Sequence, residues 1–140
     1  MAKFYDVYKA VFDRVKVDLE AKKTIRQVVL GEQFKLANLP LAIINPTTTT
    51  VRSVILGSTI ENRIGLDVLI IIRETEPSNW FSDIVSVMAD VVDAVLADRT
   101  LNGAAKDVAP TRFEPGEIKM MQKLYYGGVV RFEALLHYKP

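Results

Sequence analysis

The chain has 140 residues, 49% hydrophobic and 25% charged, with 18 basic against 17 acidic side chains for a formal net charge of +1. That length suits one domain with a single core, expected to span residues 1–140, and the charge balance gives little long-range pull on nucleic acid or anionic membrane. With no cysteine in the chain, disulfide frameworks, thiolate metal sites and cysteine nucleophiles are excluded.

Met1-Ala2-Lys3-Phe4 runs into a pattern carrying Asp6, Asp13 and Asp18, unlike the apolar core of a signal peptide. The strongest apolar run, Val68 to Ile72, is far too short to span a bilayer, so a soluble cytoplasmic product is expected. Phe4, Val7, Tyr8, Val11, Phe12, Val15 and Leu19 recur at spacings of three and four, which predicts one amphipathic helix with a core-facing stripe. Thr24 to Leu30 is rich in β-branched residues and stops at Gly31, as a short strand would. Leu41 to Asn45 is an apolar strand fenced by Pro40 and Pro46, because proline lacks the amide hydrogen a sheet interior uses. Thr47 to Thr50 extends that strand or forms a loop.

Val51 to Leu56 and Leu66 to Arg73 read as an antiparallel hairpin joined through Gly57 to Gly65. In the second of these, Leu66, Val68, Ile70 and Ile72 alternate with Asp67, Leu69, Ile71 and Arg73, so its middle is apolar on both faces. Such a strand is either central in its sheet or covered on its second face by a neighbouring subunit. Glu74 to Asn79 leads into a helix capped by Ser78 or Asn79, with Asp83 near its positive end and a stripe of Phe81, Ile84, Val85, Met88, Val91, Val92 and Val95. Arg99 is placed in the last turn and Asn102-Gly103 stops the helix. Ala104 to Ala109 suits a short strand, whereas Pro110, Pro115 and Gly116 predict a loop over Thr111 to Leu124. The final strand, Val129 to Tyr138, turns Val130, Phe132, Ala134, Leu136 and Tyr138 to one side and Arg131, Glu133 and His137 to the other, with Leu135 among them. This order predicts an α+β domain, an antiparallel sheet with two helices packed on one face.

Five segments carry a family resemblance: Leu39 to Ile44, Leu66 to Ile72, Leu96 to Gly103, Phe113 to Glu117, and Tyr126 to Glu133. Together they form a leucine-proline opening to a strand, a helix ending in a leucine-glycine turn, a proline-glycine loop and a closing strand of alternating polarity. The layout resembles the tail terminator, or tail completion, proteins of long-tailed bacteriophages. The resemblance implies a structural virion subunit that assembles in the host cytoplasm into a ring, commonly a hexamer. That ring caps the tail tube protein and presents a surface to the head-tail connector or neck. Another neck or minor tail protein is the nearest alternative.

No nucleophile sits beside a base, no glycine loop suits a phosphate, and no metal-ligand spacing occurs, so no enzyme activity, cofactor or metal is expected. His137 is the single histidine and reads as a surface or structural residue, and Asp83, Asp90, Asp93 and Asp98 as solvated helix decoration. Lys119, Lys123, Tyr125, Tyr126 and Arg131 mix basic and aromatic character, which makes a small nucleic-acid-binding module a further alternative. Against it stands the bland reading of a solvated hairpin with core tyrosines. Trp80 is either a packing residue or an interface anchor. Within the expected loop, Ile118, Met120 and Met121 fall in no helical or strand stripe, so a loop ordered by contact with a neighbour is the reading preferred over packing under the sheet. The expected contact set for a neighbouring subunit or the tail tube is therefore Trp80, Phe113, Ile118, Met120 and Met121, with Arg112, Lys119 and Lys123 beside them. On this reading, aspartate at 118 and 120 leaves the fold intact and stops assembly.

Overall fold

The computed structural model describes residues 3–31, 38–55, 59–72, 78–120 and 122–139. Helix α1 (Phe4–Glu20) is followed by strands β1 (Gln27–Leu30), β2 (Leu41–Ile55) and β3 (Thr59–Ile71), then helix α2 (Trp80–Leu96) and strands β4 (Asp107–Met120) and β5 (Lys123–Tyr138). One five-stranded sheet has the order β1-β2-β3-β5-β4. Every pairing is antiparallel except that of β1 with β2, so the sheet is mixed and mostly antiparallel rather than wholly so. No helix among the described residues is long and apolar enough to cross a membrane.

The alternation read in β3 decides which residues face which way. Leu66, Val68, Ile70 and the following Ile72 lie on a first face and join one buried cluster with Val11, Phe12, Val15 and Leu19 of α1 and Ile84, Met88, Val91 and Val95 of α2. Ala42 and Ile44 of β2 and Val130, Phe132, Ala134 and Leu136 of β5 complete it. The second face holds a smaller cluster, in which Leu41, Ile43 and Ile71 are buried with Val29 and Leu39. β3 is the middle strand of the five, so its apolar second face has an explanation within the chain.

Several elements differ from the sequence expectation. The run from Leu41 through the threonines to Ile55 is one strand, with Pro46 inside it and register shifts between Pro46 and Thr49 and between Ser53 and Ile55. Those irregularities absorb the proline where a regular ladder would not. β3 begins at Thr59, so most of the expected connection is strand, while residues 56–58 and 73–77 lie outside the described residues. The stripe of α2 runs through Ile84, Met88, Val91 and Val95 as read, but Phe81 is 59% exposed because Trp80 occupies the inward position beside it. Asn79 holds the N-cap position without a side-chain cap bond; the Ser82 hydroxyl donates to the Asn79 carbonyl at 3.1 Å.

The helix ends at Leu96, before Arg99. A turn follows in which Leu101, Asn102 and Gly103 have φ of 50°, 56° and 87°. The Asp98 carboxylate nucleates it by accepting from the Thr100 hydroxyl at 2.7 Å, the Thr100 N–H at 3.0 Å and the Asn102 N–H at 3.0 Å. These bonds hold the Asp98 carboxyl below the usual carboxylate range. Arg99 lies beyond the helix and pairs with Asp107 at 2.8 Å.

The largest correction concerns residues 111–124. They are not a loop: β4 runs to Met120, β5 starts at Lys123, and the two pair from Asp107↔Leu135 to Met120↔Lys123. The Lys106 N–H donates to the Leu135 carbonyl and the Ile72 N–H to the Tyr126 carbonyl, so odd-numbered β5 residues point their backbone toward β4 and even-numbered ones toward β3. Pro110 and Pro115 stand opposite Phe132 and Gly128, both even, with one extra residue, Thr111, between the paired positions. Both proline nitrogens therefore turn away from β5 toward the open edge, where a missing N–H interrupts no ladder bond. Prolines that suggested a loop are those an edge strand tolerates.

Candidate interaction surface

The hairpin of β4 and β5 separates the residues singled out from the sequence between two faces. Ile118 and Met120 lie on the second face, opposite Tyr125 and Lys123, and with Tyr125 and Leu69 pack against the small cluster around Ile71 and Leu41. Their burial corrects the reading that they belong to no stripe. The opening for Ile118 is made across the ladder: Gly127 stands between Gly116 and Ile71, and a Cβ on it would meet the Ile70 carbonyl oxygen and come within 2.6 Å of Ile118 Cδ1. Its neighbour Gly128 does the same on the first face, where a Cβ would lie 2.5 Å from Met88 Sδ. Two consecutive glycines in β5 thus admit one large side chain from each side.

Phe113 is on the first face at the β4 edge, 42% exposed, and lines a groove of about 420 Å³ with Pro110, Thr111, Arg112 and the α2 residues Ala89, Val92 and Asp93. Arg112 is held by Glu114 at 2.7 Å. Trp80 is half-buried against the main cluster and stacks on Tyr126 with ring centroids 5.4 Å apart, so its packing role is met within the chain. Lys119 and Lys123 are exposed, and the Lys123 ammonium lies 5.4 Å from the centre of the Tyr125 ring. Met121 lies outside the described residues. The expected contact set is therefore divided: Trp80 and Phe113 on one face, Ile118 and Met120 on the other.

The remainder of the second face is polar. Arg131 forms a two-pronged pair with Asp67 at 2.7 and 3.1 Å, which raises the guanidinium pKa above its ordinary value. Further along, Glu61, its side chain 11% exposed, is approached by Arg52 at 3.3 Å and by Arg63 and His137 at 3.8 Å, while Arg63 also reaches Glu133 at 3.2 Å. His137 thus lies beside this group of charged side chains. The threonines Thr47, Thr48 and Thr50 line a polar hollow of about 290 Å³ with Thr111, Arg131 and Glu133. Since Arg112, Arg131, Arg63 and Arg52 all have carboxylate partners, little of this basic charge is available to phosphates. Asp90 accepts from the Thr24 hydroxyl at 3.0 Å, tying α2 to the segment after α1. Asp18, near Asp98 and paired with Arg14 at 3.0 Å, has its pKa raised chiefly by burial. No group of three or more acidic or histidine side chains is placed to hold a metal ion among the described residues.

Sequence reasoning missed the aromatic side of α1. Tyr5 is 67% exposed, and with Tyr8, Lys9, Phe12, Leu30 and Pro46 it lines an apolar crevice of about 220 Å³. The available signal was that Tyr5 is an aromatic residue off the helix stripe. Leu124, 61% exposed, was likewise passed over, and Phe81, expected in the buried stripe of α2, is exposed instead. No protein-family model and no curated protein matches this chain.

Proposed function

We propose that this protein is a structural subunit of a bacteriophage tail, forming a ring that caps the tail tube and offers the surface to which the head joins. The reading rests on the five sequence segments that resemble tail terminator proteins and on an α+β arrangement in which buried residues of both helices share one cluster with the first face of the sheet. The observation that carries it is that the subunit has two unlike flanks. α1 lies mainly against β1, with smaller contacts to β2 and β5, while α2 lies against β4 and β5, and each flank carries an apolar recess. Unlike flanks joined head to tail are what a closed ring of identical chains uses.

The test is cryo-electron microscopy of the particle, where a closed ring at the head-proximal end of the tail is expected and a single isolated copy elsewhere defeats the proposal. A lysate lacking the protein should hold complete heads with unjoined tails or tails of irregular length. Intact particles in that lysate would equally reject it.

A further inference from the structure

We propose that neighbouring copies join through side chains, with Tyr5 of one copy seated in the groove between α2 and β4 of the next, against Ala89 and Val92, and its Lys9 reaching Asp93. This names the contact within the ring-forming reading above and rests on it. Three observations lead here. Strand-to-strand joining is interrupted on the β4 edge, because Pro110 and Pro115 both turn their nitrogens outward and remove two of its donors; on the opposite side β1 is only four residues long and covers β2 at Leu41 to Ile44 alone. Side chains then have to supply what the interrupted β4 edge does not.

The groove supplies the second observation. It is walled by Phe113 and Pro110 on the strand and floored on the helix by Ala89, whose small side chain leaves room for a ring. Asp93 stands at its margin, exposed, and its carboxylate has no hydrogen bond or ion pair among the described residues. The third is on the far flank. Tyr5, the most exposed of the large apolar side chains named above, lies one helical turn before Lys9, so ring and ammonium project together. Ala89 and Asp93 have the same spacing on α2. A tyrosine entering the groove over Ala89 brings Lys9 to Asp93 in register. Lys9 is held at the helix surface by Asp13 at 2.7 Å, which positions the ammonium and leaves donors unused. Opposite charges set beside complementary apolar surfaces give the contact its partner, a second copy of this chain.

The absence of native cysteine makes the test direct. Under mild oxidation the full-length Tyr5→Cys/Ala89→Cys double variant should give a ladder of disulfide-linked species, and an equimolar mixture of the two single variants should give a linked heterodimer. Tyr5→Asp should weaken self-association about thirty-fold or more by sedimentation while leaving thermal unfolding unchanged, since the side chain is exposed. Asp93→Lys should weaken it too, and adding Lys9→Glu to the same chain should restore it, which a purely structural role for either residue would not produce. A chain that forms rings but links no cysteines, or whose Tyr5→Asp and Asp93→Lys variants assemble normally, overturns this docking alone. A chain that stays monomeric at every concentration and forms no ring in the particle overturns both this contact and the ring itself.

Discussion

At one end of the sheet's second face, Ile71 of β3 lies under Ile118, Met120 and Tyr125; at the other, Glu61 of the same strand is surrounded by Arg52, Arg63 and His137. Both ends have side chains hidden from water, but by different means. The apolar end is closed by the chain's own hairpin folding side chains over a glycine, so each atom there contributes by leaving water and by filling space. The charged end is closed by long cationic side chains that remain half in solvent, where attraction is screened and one partner can substitute for another. The lesson is that the same strand tolerates loss unequally along its length.

The sharpest way to break the apolar end is Gly127→Val. The new side chain meets the Ile70 backbone as well as Ile118, and the backbone cannot move aside cheaply, so a loss of roughly 3–5 kcal/mol is expected in urea unfolding. Gly116→Ala directly across the ladder is the control, because nothing lies within 4 Å of a Cβ there, and its effect should stay within about 0.5 kcal/mol. Equal effects from the two would mean that the glycine pair does not shape the cluster.

Next in size is Ile118→Asp. A half-buried position against Ile71 and Leu41 would have to accept a carboxylate, at about 2–3 kcal/mol of stability, measured by thermal or urea unfolding of the purified protein. This reverses the sequence-based expectation that aspartate at 118 and 120 spares the fold. Unchanged unfolding would restore it.

The charged end should yield less. Glu61→Gln leaves Arg52 and Arg63 without their shared carboxylate, but Arg52 is 70% exposed and Arg63 retains Glu133, so about 1 kcal/mol is expected, shrinking in high salt. A loss as large as that of Ile118→Asp would erase the contrast between the two ends.

The smallest effect is a slope rather than a loss. Asp18 has one cation, Arg14, where Glu61 has two, Arg52 and Arg63, and burial raises its pKa in the folded state. A raised carboxyl pKa means that the folded state holds the proton more tightly than the unfolded one. The stability this contributes is fully present below the unfolded value of about 3.9 and is lost as pH rises through the folded pKa. The stability difference between Asp18→Asn and the unaltered protein should therefore move toward the variant as pH is raised from 3 to 7 in a urea series. A flat difference would show Arg14 compensating the carboxylate fully.

Much of the fold was legible because it depended on period alone. The helix stripes ending in Leu19 and Val95, and the alternation of Val68 with Leu69 and of Val130 with Arg131, are set by the 3.6-residue and two-residue repeats of the backbone and need no knowledge of partners. The sequence by itself thus determined two amphipathic helices, a strand apolar on both faces and a closing strand with one buried side. Tertiary structure alone decided residues 110–120, because whether Pro110 and Pro115 end a strand or stand within one depends on which edge lies open. It decided the contact set for the same reason: Ile118 is half-buried because Gly127 of the opposing strand leaves space over Ile71, Met120 packs on the same cluster, and Phe113 lines a groove between β4 and α2. Those are distances across the sheet, and local sequence carries no record of them.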